Sequence, residues 1–158
     1  MKKLILLPSL LFCQLGFAEE FIIGRNSAPL PYLYELSKEE KGSSRSRKKK
    51  VSLYFAERCW NLNLHLEFSK NTDNSYYYSL RNRVFIPALS AEIGIPSVEF
   101  DENMEIRMNN EFLAYLESLD HILRNYDENP LLVQMDYEFC DRLYLRLKNI
   151  FDEEGIPY

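Results

Sequence analysis

The chain has 158 residues, of which 46% are hydrophobic and 14% are aromatic, so it can bury the core of one ordinary domain. Its 24 acidic residues exceed its 19 basic residues, and the formal net charge is −5. An acidic balance of this kind argues against nucleic acid as a general partner.

The first 18 residues have the pattern of an export signal. Lys2 and Lys3 precede an apolar run that extends to Leu15, and the small residues Gly16 and Ala18 follow it. A transmembrane helix needs about 20 apolar residues, and this run is shorter. We therefore predict a signal peptide over residues 1–18, a single exported domain over residues 19–158, and no transmembrane segment after signal removal.

An alternative for the same segment is a lipoprotein signal, in which Cys13 would become the lipidated first residue. Bulky Phe12 stands where such a signal has a small residue, and the apolar run continues past Cys13 to a better cleavage site. We therefore favour a periplasmic or secreted protein over a lipoprotein.

The next segment is predicted to be a strand followed by irregular chain. Residues 21–23 form a short apolar, β-branched run, and the stretch over residues 25–34 contains Pro29 and Pro31, which cannot continue a helix. Residues 38–50 contain seven basic and two acidic residues and three serines, which predicts a flexible, solvated loop. Because no aromatic residue interrupts residues 45–50, we favour this interpretation over a phosphate-binding surface.

Residues 51–68 are predicted to be a helix and then a strand. The helix is indicated by apolar residues at helical spacing up to Cys59, although a strand through Leu53 is an alternative. From Leu62 to Phe68, apolar residues alternate with polar ones, which is the pattern of a half-buried strand.

A helix, a stop and a hairpin are predicted next. Apolar residues step by three and four from Tyr77 to residue 93, with a kink or restart at Pro87. Gly94 followed by Ile95 and a proline is typical of a helix end. Residues 98–108 alternate around an acidic turn and predict a hairpin, with a helix after residue 101 as the alternative.

Two amphipathic helices complete the chain. The first spans residues 112–126, with Asn110 as its cap, and the second spans residues 131–151, with Pro130 in its first turn. We expect these helices to pack as an antiparallel pair over the core.

Only Cys59 and Cys140 remain after signal removal. An exported compartment is oxidising and permits them to form a disulfide, but two separate buried thiols are an equally good interpretation.

Several short segments between residues 21 and 95 look like parts of one known family. These are Phe21-Ile22-Ile23-Gly24, Pro29-Leu30-Pro31-Tyr32-Leu33-Tyr34, residues 54–61 leading into Leu64-His65-Leu66-Glu67-Phe68, and residues 86–93. Together they resemble the first lobe of the periplasmic solute-binding proteins of the polar-amino-acid transport type (extracellular solute-binding family 3).

The resemblance implies an α/β fold, namely one lobe of a periplasmic-binding-protein-like fold with a C-terminal helix pair. The alternative is an α+β fold with an antiparallel sheet and C-terminal helices. In that family the loop after the first strand lines the ligand cleft, which implies ligand contacts for Asn26, Tyr32 and Tyr34. A small polar solute such as an amino acid is then the expected ligand, and a transport protein is an expected partner.

No catalytic or metal-binding pattern accompanies these features. The only histidines, His65 and His121, have no partner at metal-ligand spacing, and glycine-rich phosphate loops are absent. We therefore predict a protein that is not an enzyme and that has no cofactor or metal. The two function hypotheses are a solute-binding-like module, intact or degenerate, and an envelope structural or protein-interaction protein with no small-molecule ligand.

Overall fold

The computed structural model describes residues 28–39, 45–69 and 74–158 of the chain. The predicted signal peptide with Cys13, the strand over residues 21–23 and Asn26 lie outside the described residues. The described elements are α1 Leu30–Glu39, α2 Arg45–Phe68, α3 Ser75–Ile93, β1 Val98–Phe100, β2 Ile106–Met108, α4 Asn110–Ser118, α5 Asp120–Glu128 and α6 Pro130–Glu154.

The predicted α/β lobe is wrong. Most of the described chain is helical, and its one sheet is the antiparallel pair of β1 and β2. The α+β alternative is also wrong, because helices rather than a sheet form the core. The core side chains come from α1 to α6, and they include Leu30, Leu33, Leu62, Phe85, Leu89, Phe112, Ile122, Tyr126 and Leu132.

The strand predicted over residues 62–68 is the second half of α2. Leu62 is fully buried, but so is Asn63, which the alternating pattern assigned to solvent. Because α2 contacts α3, α5 and α6, it needs buried side chains on more than one face. Over a few residues, alternation cannot distinguish a strand from a helix that is buried on several sides. The helical interpretation of residues 51–59 is confirmed.

The proline-containing loop predicted over residues 25–34 is helical from Leu30 onward. Pro31 lies in the first turn of α1, where the missing N–H is not needed by the helix. Leu30 and Leu33 are fully buried, so this turn is anchored in the core. The basic tract over residues 38–50 includes the end of α1 and the first turns of α2, because Lys and Arg are good helix formers.

The end of α3 and the hairpin follow the sequence prediction. Pro87 lies inside α3, and Gly94 ends the helix in the left-handed conformation at φ 81°. The strands pair in the register Val98 with Met108 and Phe100 with Ile106, which confirms the hairpin over the helical alternative.

The predicted helix over residues 112–126 is divided at Leu119 into α4 and α5. Its cap is Asn109 rather than Asn110, since the Asn109 side chain accepts a hydrogen bond from the Phe112 N–H at 3.1 Å. α6 begins at Pro130 as predicted and is capped by Asn129. Within the described part of the chain, no helix is long and apolar enough to cross a membrane.

Candidate functional site

A disulfide joins Cys59 and Cys140. Cys59 of α2 and Cys140 of α6 are bonded, with their Cα atoms 5.2 Å apart, and both side chains are buried. Of the two alternatives that the sequence left open, the structure has the disulfide. It closes a loop with a sequence separation of 81 residues, so it restricts the unfolded chain strongly.

A buried ion pair lies beside the disulfide. Arg58 and Asp136 are in direct contact, and both side chains are completely buried. The Arg58 guanidinium also donates to the hydroxyl oxygens of Tyr126 and Tyr54, each at 3.0 Å, and to a backbone carbonyl at the start of α1. Although burial acts to lower the pKa of Arg58, the neighbouring Tyr126 and Asp136 hold it above its ordinary value. This network is closed to solvent, so its role is to join helices rather than to bind a ligand.

Asp136 also caps a helix on another part of the chain. Its Oδ1 accepts a hydrogen bond from the backbone N–H of Leu30 at 2.6 Å, and its Oδ2 accepts one from the Tyr126 hydroxyl at 2.8 Å. The first N–H groups of a helix have no partner within the helix, and a carboxylate is a favourable acceptor for them. Asp136 therefore fixes the start of α1 against α6.

A second buried arginine joins α3 to α6. Arg81 is almost fully buried, and its Nη1 donates to Asp141 Oδ1 at 2.5 Å and to the Tyr77 hydroxyl at 2.9 Å. The guanidinium carbon lies 4.6 Å from the centre of the Tyr144 ring, a cation–π contact. These contacts join α3 to α6, although the buried Nε of Arg81 has no hydrogen-bond partner among the described residues.

An open pocket of about 300 Å³ lies between α1 and α6, and we call it the α1–α6 pocket. Two aromatic rings line it, Tyr34 and Phe139, which meet edge to face with their centres 5.5 Å apart. The full lining consists of Pro31, Tyr34, Glu35, Phe139, Arg142, Leu143 and Arg146.

Of the three residues predicted to contact a ligand, the structure describes Tyr32 and Tyr34, and these two do not line the same pocket. Tyr34 lines the α1–α6 pocket, whereas Tyr32 is 53% exposed and does not line it. Asn26 lies outside the described residues. On a helix, residues two positions apart point in different directions, which explains the separation of Tyr32 from Tyr34.

The residues that α6 contributes to this pocket were not predicted from the sequence. Phe139, Arg142, Leu143 and Arg146 stand at positions i, i+3, i+4 and i+7 and therefore share one face of the helix. That spacing was available from the sequence, but the pocket depends on α1 being a helix that packs against this face. Because residues 25–34 were predicted to be an irregular loop, no helix was expected to pack against this face of α6.

The hairpin presents an apolar face to solvent. The register places Val98, Phe100, Ile106 and Met108 on one face, and Glu99 and Arg107 on the other. Met108 packs against the core, but Val98 is 44% exposed, Phe100 61% and Ile106 68%. We call these three exposed side chains the apolar hairpin face.

The hairpin has an ordered turn and a side-chain link to the cap of α4. Its turn is closed by Asp101, whose Oδ1 accepts hydrogen bonds from the N–H groups of Asn103 at 2.8 Å and Glu105 at 2.9 Å. Asn109, which caps α4, also donates from its side chain to Glu99 at 3.3 Å. The apolar hairpin face is therefore presented on a defined structure.

His65 lies on α2 and not on the predicted strand, and it has a carboxylate neighbour. Its Nδ1 lies 2.8 Å from Asp127 Oδ1, at a second pocket of about 180 Å³ between α2 and α5. Asp127 is mostly exposed, so this contact is a weak tie between the two helices. The described residues contain no group of three or more His, Cys, Asp or Glu side chains that could hold a metal ion.

Comparison with known proteins returns no family model, curated protein or solved structure that matches the chain. We therefore infer the function from the surfaces of the described residues.

Proposed function

We propose that the protein is an exported interaction protein that binds another protein through the apolar hairpin face. The observation that carries this proposal is the exposure of Val98, Phe100 and Ile106 on one face of a two-stranded hairpin. Contiguous exposed apolar side chains are typical of binding surfaces, whereas single ones are common on any protein.

A partner that covers the apolar hairpin face would remove its three apolar side chains from water. Full burial of a Val, Ile or Phe side chain contributes about 1.5–3 kcal/mol, so three adjacent side chains can supply much of a specific interface. The opposite face of the hairpin is polar, with Arg107 Nε 3.8 Å from Glu99 Oε1. This contrast favours docking on one face only.

The export part of the proposal is supported by the disulfide. Disulfides persist in oxidising compartments and are rare in the cytosol. The bond between Cys59 and Cys140 therefore agrees with the predicted signal peptide and favours a periplasmic or secreted location.

The solute-binding hypothesis no longer has support from the fold. It depended on a ligand cleft at the edge of a parallel sheet, and the described residues contain no such sheet. The envelope-protein hypothesis does not depend on that fold, which is why we carry it forward.

Site-specific photo-crosslinking in the producing cells tests the proposal. A photoreactive amino acid at position 100 should give one discrete protein adduct, whereas the same group at position 107 on the opposite face should give none. The adduct should disappear in an Ile106→Glu variant, whose folding is checked by circular dichroism and thermal unfolding. Identical products from positions 100 and 107, or no product from either, would refute docking on the apolar hairpin face.

A further inference from the structure

We propose that the α1–α6 pocket binds a small carboxylic acid that has an apolar aliphatic or aromatic body. The proposal is independent of protein binding at the hairpin, because the pocket is lined only by residues of α1 and α6.

The walls of the pocket match the apolar body of such a ligand. Pro31, Tyr34, Phe139 and Leu143 are its uncharged lining residues. Phe139 is also held by Phe55 of α2, with the two ring centres 5.4 Å apart and edge to face. Because the rings of Tyr34, Phe139 and Phe55 pack together, the two aromatic lining residues are held in place before a ligand binds, which reduces the entropy cost of binding.

The charged lining residues on α6 match the carboxylate. Arg142 and Arg146 are one helical turn apart and both line the pocket. Arg142 is largely exposed and makes only a long, exposed ion pair with Glu138 at 4.0 Å, while no ion pair involves Arg146 among the described residues. A guanidinium has a fork of donors that fits a carboxylate with two parallel hydrogen bonds.

Glu35 on the α1 side offsets only one of the two positive charges that line the pocket. Its carboxylate is bonded to Lys38 at 2.8 Å, one turn further along α1. The pocket therefore carries an excess of positive charge on a chain whose net charge is −5. Such a local excess attracts an anion.

The size and charge of the pocket limit the class of ligand. A volume of about 300 Å³ is at the lower end of the range for ligand pockets, which is about 300–1,000 Å³. Two arginines and one glutamate suit a single negative charge better than a polyphosphate. The apolar walls would leave the polar groups of a sugar without partners, so an apolar acid is the favoured class.

Three probes with one apolar body and different head groups test the proposal on the full-length processed protein. We expect 4-phenylbutyrate to bind, measured by calorimetry and by nuclear magnetic resonance shifts at Tyr34, Phe139 and Leu143. The alcohol 4-phenylbutan-1-ol should bind about tenfold more weakly, because it loses the charge-assisted hydrogen bonds. The cation 4-phenylbutylamine should not bind measurably.

Two double variants distinguish binding by the pocket arginines from an effect of the overall charge of the protein. Arg142→Gln with Arg146→Gln should weaken 4-phenylbutyrate binding about tenfold. The matched control, Arg83→Gln with Arg124→Gln, removes the same charge at exposed positions outside the pocket and should change the dissociation constant by less than about twofold. The proposal is overturned if the acid does not bind, if acid and alcohol bind equally, or if both double variants behave alike.

Discussion

At the level of single residues, the buried Arg58–Asp136 pair connects four parts of the molecule. Arg58 lies on α2, Asp136 on α6, Tyr126 on α5, and the capped N–H of Leu30 at the start of α1. Charged groups are costly to bury, and this cost is offset only while every partner is present. The network therefore depends on all of its members.

Replacing Arg58 by methionine should lower the free energy of unfolding by about 3–5 kcal/mol, because the charge of Asp136 would stay buried without its partner. Urea denaturation measures this difference. The control is Arg124→Gln, which breaks an exposed pair with Asp120 and should cost no more than about 1 kcal/mol. Equal losses in the two variants would contradict the role of the buried pair.

Adding Asp136→Asn to Arg58→Met should recover part of the loss. The second change removes the uncompensated charge but keeps an oxygen that can accept from the Leu30 N–H. A double variant that is less stable than Arg58→Met alone would show that the charge of Asp136 is needed for another reason.

Glu57 makes the stability depend on pH. Burial raises the pKa of Glu57 above its ordinary value of 4.5, and a hydrogen bond from the Tyr115 hydroxyl at 2.7 Å partly offsets this. The folded chain thus keeps this proton to a higher pH than the unfolded chain does. The contribution of Glu57 to stability is therefore favourable at low pH and is lost as the pH rises through the pKa of the folded state.

The Glu57→Gln variant should remove this dependence. Its unfolding free energy should match that of the original protein near pH 4 and exceed it increasingly toward pH 7, in urea titrations at several pH values. Tyr115→Phe should enlarge the dependence, because it removes the hydrogen bond that stabilises the ionised carboxylate. Parallel pH profiles for the original protein and Glu57→Gln would contradict the assignment.

At the level of the elements, helix ends are determined by local chemistry. Gly94 ends α3 at φ 81°, its N–H donates to the Ser90 carbonyl at 2.9 Å, and the Ser90 hydroxyl donates to the Ile95 carbonyl at 2.6 Å. A Cβ added at Gly94 would contact nothing within 4 Å. The cost of a substitution there is therefore the cost of the left-handed backbone alone.

Gly94→Ala should destabilise the protein by about 1 kcal/mol, seen as a lower Tm. Gly94→Asn should cost less, because asparagine tolerates this backbone conformation. If alanine and asparagine had the same effect, the loss would come from something other than the backbone conformation.

The elements also show which patterns could be predicted. The hairpin, the end of α3 and the start of α6 depend on alternation, glycine and proline within a few residues, and these predictions are confirmed. The predictions of a strand over residues 62–68 and of a loop around Pro31 were wrong. Those two segments become helices because of the surfaces that they bury, which no local pattern reports.

At the level of the whole molecule, the disulfide is the main covalent restraint on the fold. It connects α2 to α6 close to the Arg58–Asp136 pair, so two different interactions join the same helices. In the chain-entropy model, closing a loop of this length stabilises the folded state by about 4.5 kcal/mol.

The Cys59→Ser, Cys140→Ser double variant should lose about 2–5 kcal/mol of unfolding free energy, measured by urea denaturation. The unaltered protein in a reducing agent should shift toward the same value, and thiol titration should detect both cysteines only after reduction. No change on reduction would contradict a stabilising disulfide.

The hairpin, the glycine end of α3 and the proline start of α6 could be read from the sequence, because their causes lie within a few residues of chain. The fold was needed to show that residues 62–68 are helical, that Cys59 pairs with Cys140 and Arg58 with Asp136, and that Tyr34 but not Tyr32 lines the α1–α6 pocket. These features depend on which distant surfaces meet, and the free energy of burying them outweighs the local pattern.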